Sequence, residues 1–141
     1  MAEFAPDPAF EAGSMALGEL PLCHVRLQTD ARWPWLILIP RGVGLREIED
    51  LSPTDRTRLI EESVLAGEAV RAMGAALGRP VEKLNLGALG NVTAQLHVHM
   101  VGRRADDAAW PGPVWGVGTS VAYARHDLET VIAAARRGLG L

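Results

Sequence analysis

The stretch Gln95-Leu96-His97-Val98-His99-Met100-Val101 alternates polar and apolar side chains and determines the fold expected for the chain. Because successive side chains of an extended strand point to opposite faces, Gln95, His97 and His99 are predicted to share one face. The apolar residues between them then face a core. This strand is therefore expected to help build the core and to present a polar row on rigid backbone.

Further strands are predicted on the N-terminal side of this stretch. The alternating run 22–28 and the continuous apolar run 35–39 predict an antiparallel hairpin. The run 82–88 predicts another strand, which the loop 89–93 joins to the histidine stretch. The first twenty residues, which include Pro6 and Pro8, predict a short helical turn and a docked arm rather than a strand.

Two helices are predicted as well. Ser52 and Pro53 form a helix start, with serine as the N-cap and proline at the first helical position, and the helix should run to about Leu77. Gly78 and Pro80 then end it. A last helix is predicted over 127–137. The order of strands, helix, strands and tail predicts an α+β fold in which a helix packs on an antiparallel sheet.

The buried face of the long helix is predicted from apolar residues that recur at three- and four-residue steps. Charged residues are expected to lie off that face. The predicted buried positions are Ile60, Val64, Gly67, Val70, Met73 and Leu77, and the predicted solvent-facing positions are Glu61, Glu62, Glu68 and Arg71.

The composition is that of one globular domain, expected over residues 1–141. The chain has 141 residues, of which 48% are hydrophobic and 22% charged, so it is long enough for a two-layer core. A formal net charge of -3 provides no general attraction for a nucleic-acid polymer, although Arg103 and Arg104 could hold phosphates if they are not a solvated strand end. These features favour a small phosphorylated ligand.

Several features favour a cytoplasmic protein with no membrane partner. Cys23 is the only cysteine, so an intramolecular disulfide is excluded. The N-terminal residues lack the basic start and long apolar stretch of a signal peptide. The longest apolar run, 33–40, is too short to span a bilayer.

The histidines are suited to phosphoryl chemistry. An imidazole is largely neutral at cell pH and carries a free nitrogen lone pair, so His97 could attack phosphorus directly. A backbone carbonyl that accepts from Nδ1 would leave Nε2 facing the substrate. His99, on the same face, is placed to supply a proton for the leaving group.

Two other interpretations of His97 and His99 remain open. They could be ordinary polar residues of a half-exposed strand. They could also chelate zinc, but a third protein ligand would be needed, and only His24, His126 or a distant carboxylate remain. No residue at ligand spacing stands out among these.

At this point the chain resembles the histidine triad (HIT) superfamily, whose signature is His-x-His-x-His followed by two hydrophobic residues. The run 95–101 matches that signature with glutamine at its first histidine position. Other matching pieces are Leu36-Ile37-Leu38-Ile39-Pro40-Arg41, Ile48-Glu49-Asp50-Leu51-Ser52, Asn85-x-Gly87 and Gly90-Asn91. The resemblance covers a core of about 22–101, with a C-terminal tail and helix over 102–141.

The resemblance implies a HIT-like fold of about five antiparallel strands, commonly assembled as a homodimer. It implies that His97 is the nucleophile and that His99 contacts the phosphate and leaving group, with Gln95 beside them. It further implies substrate-binding roles for Asn85, Asn91, Gly90, Thr29, Asp30 and Trp35. Trp35 stands where many relatives have another histidine. The implied ligand is a purine nucleotide or nucleotide conjugate.

The activity implied is hydrolysis or nucleotidyl transfer on nucleoside phosphoramidates or dinucleoside polyphosphates, through a covalent nucleotidyl-histidine and without a metal or cofactor. Gln95 departs from the family pattern and cannot titrate. A nucleotide-binding regulatory module with little turnover is therefore an alternative, and a metal-binding protein using His97 and His99 is another. The segment 110–115 resembles a tail that closes the pocket in some members. It could equally pack on the sheet or at a dimer contact.

Overall fold

The computed structural model describes residues 3–141, and its centre is a five-stranded antiparallel sheet. The strands are β1 Ser14–Glu19, β2 Cys23–Gln28, β3 Trp35–Pro40, β4 Lys83–Gly87 and β5 Val98–Arg103. Their order across the sheet is β1-β2-β3-β5-β4, and all neighbouring pairs are antiparallel. Two α-helices, α1 Pro53–Ala76 and α2 Arg125–Leu139, accompany the sheet. The predicted α+β fold is confirmed.

The N-terminal segment differs from the prediction. A 3-10 helix, Pro8–Ala12, is present as the expected helical turn, but strand β1 follows it at once. The strand escaped the prediction because its pairing with β2 shifts between Ala16 and Gly18, so the burial of its side chains does not alternate. An edge strand with such a shift lacks the period-two pattern that identifies strands in a sequence.

Helix α1 begins and ends where its sequence signals predict. The Ser52 side chain accepts a hydrogen bond from the Asp55 amide, and Pro53 is the first helical residue. At the C-terminal end Gly78 adopts a φ of 71°, a left-handed conformation that glycine tolerates without strain. The helix has 24 residues, so it is about 36 Å long, and its main strand contacts are with β5 and β3.

The buried face of α1 was predicted incorrectly in part. Ile60 and Val64 are each 56% exposed, whereas Glu62 is only 6% exposed. The carboxylate of Glu62 accepts hydrogen bonds from the amides of Leu22 and Cys23, each at 2.8 Å. The buried face is therefore rotated relative to the prediction, because it also carries alanines and this carboxylate, which a hydrophobic periodicity does not count.

Apolar residues cover both faces of the sheet. On one face they form the main core with α1 and α2, and the helices cross closely at Gly138, where a Cβ would lie 2.7 Å from the Cα of Ala69. On the other face Trp33, Trp35 and Ile37 form a second cluster with Phe10. Among residues 3–141, no helix is long and apolar enough to cross a bilayer.

Strand β5 starts at Val98 rather than at Gln95 as predicted. Its pairing with β3 begins at Val98 and Leu38. The Leu96 amide instead donates to the carbonyl of Leu45, in the loop before α1. The ladder stops here because β3 ends at Pro40, whose nitrogen has no hydrogen to donate. His97 thus lies just outside the ladder, and His99 lies within it.

Candidate functional site

Two histidine rings meet on the face of the sheet that does not contact the helices. His97 and His99 are 5% and 7% exposed, and their ring centroids are 4.9 Å apart with the planes inclined at 75°. Each ring has a different hydrogen-bond partner, and the partner decides which nitrogen carries the proton.

The His97 ring is oriented by backbone. Its Nδ1 lies 2.7 Å from the carbonyl oxygen of Gln95. A carbonyl oxygen can only accept, so Nδ1 carries the hydrogen and the lone pair of a neutral ring is on Nε2. His97 therefore has a nucleophilic nitrogen on the side away from the backbone.

The His99 ring is held in the opposite tautomer by Trp35. The indole Nε1 of Trp35 lies 3.0 Å from Nδ1 of His99. An indole N–H can only donate, so Nδ1 of His99 accepts and Nε2 carries the hydrogen. Trp35 reaches His99 because it pairs with Val101, two residues beyond His99, and lies diagonally across the two strands.

The environment of His99 keeps its ring neutral. Burial is the larger cause that lowers the pKa of His99, and the nearby His97 adds to it by repelling a second positive charge. Together they bring the pKa of His99 to about 4. At neutral pH the ring has no extra proton to give. His99 therefore offers a hydrogen bond from a neutral ring.

We expect His99 to make folding stability depend on pH. Between pH 6.5 and about 4 the unfolded chain binds a proton at His99 that the folded chain excludes. The free energy of unfolding therefore falls as the pH falls through this window, and His99 should account for a loss of about 3 kcal/mol. Urea unfolding at both ends of the window, with wild type and His99→Gln, measures this contribution. Equal losses in the two proteins would contradict it.

Two cavities meet at His97. A cavity of about 360 Å³ is lined on one side by Phe10 and Ile37 and on others by His97, His99 and Trp115. A second cavity of about 290 Å³ lies between His97, the loop 88–94 and the segment 46–49 before α1. The first is mainly apolar and aromatic, and the second contains Arg46 and two glutamates. A ligand that fills both would pass the His97 ring.

A model of the HIT domain matches residues 9–106. The chain belongs to the HIT family. No curated protein matches this HIT protein, but solved structures do. A histidine triad protein from Bradyrhizobium japonicum is 36% identical, with 98% of this chain and 99% of that chain covered and a TM-score of 0.88.

Two other solved structures are similar to this HIT protein over nearly their whole length. A histidine triad protein from Marinobacter aquaeolei is 39% identical, with 99% and 98% of the two chains covered and a TM-score of 0.88. One from Sinorhizobium meliloti is also 39% identical, with 96% of each chain covered and a TM-score of 0.85. The family supports a nucleotide ligand for the site.

Only some of the residues predicted beside the HIT histidines line the cavities at His97. Asn91 lines both cavities, and Gly90 lines the smaller one. A Cβ at Gly90 would make a tight contact of 3.0 Å with the carbonyl oxygen of Thr93 in the same loop and an ordinary contact of 3.7 Å with Cε1 of His97. Asn85 lines neither cavity, and its side-chain oxygen accepts from Arg103 at 2.8 Å.

Thr29 and Asp30 do not line the cavities at His97. The Thr29 hydroxyl and amide both donate to the carbonyl of Gly13. Asp30 is 3% exposed, and its carboxylate binds the Arg32 guanidinium. Hydrogen bonds from Arg32 and the Val121 amide hold the pKa of Asp30 below its usual range despite burial, which would raise it. Both residues have structural partners in this HIT protein.

Phe10 had no sequence signal, and Trp115 was indicated only by the resemblance of the segment 110–115 to a tail that closes the pocket in some family members. Phe10 comes from the N-terminal segment and packs edge-on against His97, with ring centroids 4.9 Å apart. Trp115 packs edge-on against His99 at 5.4 Å, so the tail both covers the sheet and closes the HIT site. Gly87 makes room for it, because a Cβ there would lie 3.0 Å from the indole. Residue spacing cannot reveal contacts between such distant segments.

Arg103, which ends β5, and Arg104, which follows it, are not a solvated strand end. Arg103 is 1% exposed and pairs with Asp107, and Arg104 donates to Asp106 and to the carbonyl of Pro80. Neither lines a cavity at His97. Within residues 3–141, no group of three or more histidine, cysteine, aspartate or glutamate side chains is arranged to hold a metal ion.

Proposed function

We propose that this HIT protein is a nucleotide phosphohydrolase or nucleotidyl transferase that forms a covalent nucleotidyl-His97 intermediate. The substrates proposed are purine nucleoside phosphoramidates and dinucleoside polyphosphates. Family membership supports the nucleotide, and the site geometry supports the chemistry. The roles of individual residues below are part of the proposal.

One observation carries the proposal: the two neighbouring rings are held in complementary tautomers. The carbonyl of Gln95 leaves a lone pair on Nε2 of His97, and the indole of Trp35 leaves a hydrogen on Nε2 of His99. A nucleophile and a hydrogen-bond donor thus lie side by side, as attack on a phosphoryl group requires.

In the first displacement, the Nε2 lone pair of His97 forms a bond to the α-phosphorus. The bond from phosphorus to the leaving oxygen or nitrogen breaks, and the leaving atom keeps the electron pair and takes a proton from water. His97 becomes a positively charged ring that still donates from Nδ1 to the Gln95 carbonyl, which stabilises that charge. Nε2–H of His99 donates to a phosphoryl oxygen as negative charge develops.

In the second displacement, water attacks the same phosphorus and the phosphorus–nitrogen bond breaks. The electron pair returns to Nε2 of His97, and the proton from water passes to the solvent. The product is a nucleoside monophosphate, and another acceptor in place of water gives nucleotidyl transfer. The step as proposed uses no metal ion or cofactor.

The two cavities fit the two halves of such a substrate. The larger cavity has aromatic and aliphatic walls from Phe10, Ile37 and Trp115, which suit the flat faces of a purine. The smaller cavity is more polar and is proposed to hold the leaving group. Asn91 lines both, which supports a proposed contact of its side chain with the phosphate between them.

Rapid-quench mass spectrometry with an adenosine phosphoramidate or a diadenosine polyphosphate tests the proposal. We expect an adenylyl adduct on the tryptic peptide that contains His97, and turnover that persists when a chelator is present. Binding of AMP with neither turnover nor adduct would instead indicate a nucleotide-binding regulatory module. Turnover that chelator abolishes would contradict the metal-independent step.

We also propose that the protein is a homodimer. Strand β4 pairs only with β5, so one edge of the sheet is open in the single chain. Beside this edge Leu86 is 51% exposed, and Ile60 and Val64 of α1 are each 56% exposed. They line an apolar groove of about 340 Å³ with Met100 at its base. An open edge beside apolar side chains suits antiparallel pairing with the same edge of a second copy.

Val64→Glu is expected to convert the dimer into a monomer, because it places a charge in the apolar groove at the twofold contact. Sedimentation velocity measures the change. Val43→Glu is the matched control, since Val43 is 62% exposed and lies away from the groove. A wild-type monomer, or a Val64→Glu protein that stays dimeric, would contradict the proposed interface.

A further inference from the structure

We propose that Gln95 is a positioning residue that acts through the N-terminal arm, defined here as residues 5–12. In this role its side chain fixes the arm so that Phe10 packs against His97 and forms one wall of the larger cavity. The effect on ligand binding and turnover rests on the function proposed above. The effect on the position of the arm and on the surroundings of the His97 ring is independent of that function.

The side chain of Gln95 is hydrogen-bonded to the arm through both its oxygen and its nitrogen. Its Oε1 accepts from the Asp7 amide at 2.7 Å, and its Nε2 donates to the carbonyl of Ala5 at 2.9 Å. A primary amide has an acceptor and a donor side by side, so it can bind both groups of an extended backbone segment at once. The two contacts are long-range in the chain: Asp7 lies 88 positions from Gln95, and Ala5 lies 90 positions from it.

The first contact leads directly to Phe10. The Asp7 side chain accepts from the Ala9 amide, and the Asp7 carbonyl accepts from the Phe10 amide at 3.0 Å. These bonds start the 3-10 helix that carries Phe10. Phe10 is 7% exposed and lies edge-on to His97. A shift of the arm at Asp7 therefore moves the ring that contacts His97.

The other end of the arm is held independently. The Ser14 hydroxyl donates to the carbonyl of Phe10, and Arg26 donates to Ser14. Thr29 holds the carbonyl of Gly13. The arm is thus anchored to the sheet at one end, and Gln95 alone supplies side-chain hydrogen bonds to residues 5 and 7 among the described residues. Gln95 decides whether the arm lies closed over the site.

The same residue orients His97 through its backbone. The Gln95 carbonyl accepts from Nδ1 of His97, while the Gln95 side chain points to the arm. A substitution of the side chain can therefore loosen the arm without removing the bond that sets the His97 tautomer. This separation makes the role of the side chain testable.

The substitution Gln95→His separates the arm-positioning role from a role in the triad. An imidazole has its donor and acceptor nitrogens on opposite sides of the ring, so it cannot bind both Ala5 and Asp7 as the amide does. If Gln95 positions the arm, Gln95→His should behave like Gln95→Ala. If the first triad position needs a titratable group, Gln95→His should raise the turnover number.

Two readouts need no substrate. In Gln95→Ala, hydrogen exchange of peptides covering residues 4–12 should become about tenfold faster, as expected for the loss of two hydrogen bonds. The NMR shifts of the His97 ring protons should change in both Gln95→Ala and Phe10→Leu. The first change moves the Phe10 ring away from His97, and the second removes that ring. Glu61→Ala, on the exposed side of α1, is the control and should change neither.

Two further readouts use ligand. The dissociation constant for AMP and the KM should rise about tenfold in Gln95→Ala, with the turnover number changed less than about threefold. In a protein that already carries Phe10→Leu, Gln95→Ala should raise the dissociation constant and the KM by less than about a further twofold, because both changes act through the same contact. Thermal unfolding of each variant shows that the fold is retained.

Unchanged exchange and ring shifts in Gln95→Ala would overturn the proposal, whatever the activity. So would a lower turnover number at constant KM, or a gain in turnover number in Gln95→His. If wild type neither turns over nor binds AMP, the proposed function fails, and the exchange and NMR data still decide the role of Gln95.

Discussion

His97→Ala is expected to lower the turnover number by at least about 10⁴-fold, because it removes the nitrogen that attacks phosphorus in the proposed reaction. The adenylyl adduct should also disappear. The fold should remain, since His97 lies just outside the β5 ladder and its ring contacts mainly Phe10 and His99. Single-turnover kinetics with an adenosine phosphoramidate measures the loss.

His126→Ala is the matched control for this experiment. It removes a histidine from the exposed side of α2 that lines neither cavity at His97, and should leave the turnover number unchanged. A His97→Ala protein that keeps more than a hundredth of the wild-type rate, or still forms an adduct, would show that His97 is not the nucleophile.

Asp107→Ala is expected to destabilise the protein by about 3–5 kcal/mol, because it leaves the Arg103 guanidinium buried without its partner. The two side chains are 1% and 2% exposed. Asp107 accepts from Arg103 at 2.8 and 3.0 Å and from the backbone amides of Arg104, Ala109 and Trp110. Burial alone would raise the pKa of Asp107, but the hydrogen bonds outweigh it and hold that pKa well below its usual range.

Urea unfolding at neutral pH measures this loss. Asp106→Ala is the control, since Asp106 is 63% exposed and its ion pairs lie at the surface. We expect that control to change the free energy of unfolding by less than about 1 kcal/mol. If both variants lose a similarly small amount of unfolding free energy, the buried Arg103–Asp107 pair does not stabilise the protein as expected.

Local periodicity in the sequence predicted most of the secondary structure. The capping signals at Ser52 and Gly78 located α1, and the alternating and apolar runs located β2 and β3, because these patterns report how neighbouring residues face a core. Strand β1 was not predicted, because the shift in its pairing with β2 removes the alternating pattern. Glu62 was placed on the wrong face because its burial depends on two amides that lie 40 and 39 residues away in the chain.

The candidate site was predicted less completely than the fold. The motif singled out His97 and His99, and the structure brings them together with Trp35, Asn91 and Gly90. Thr29 and Asp30 do not line the cavities at His97, because each has partners within the fold. Phe10 and Trp115 could not be found from spacing, since they reach the site from opposite ends of the chain.

Local sequence patterns were enough to predict the sheet-and-helix architecture and the pair of histidines, and they carried the resemblance to the HIT family. The state of each ring and the contacts of Gln95 depend on the folded chain. Trp35 lies 64 positions from His99, and Ala5 and Asp7 lie about 90 positions from Gln95. A repeating pattern reports which face of its own strand or helix a residue occupies. Which distant group meets it there depends on strand register and on the path of the arm, and these exist only in the folded chain.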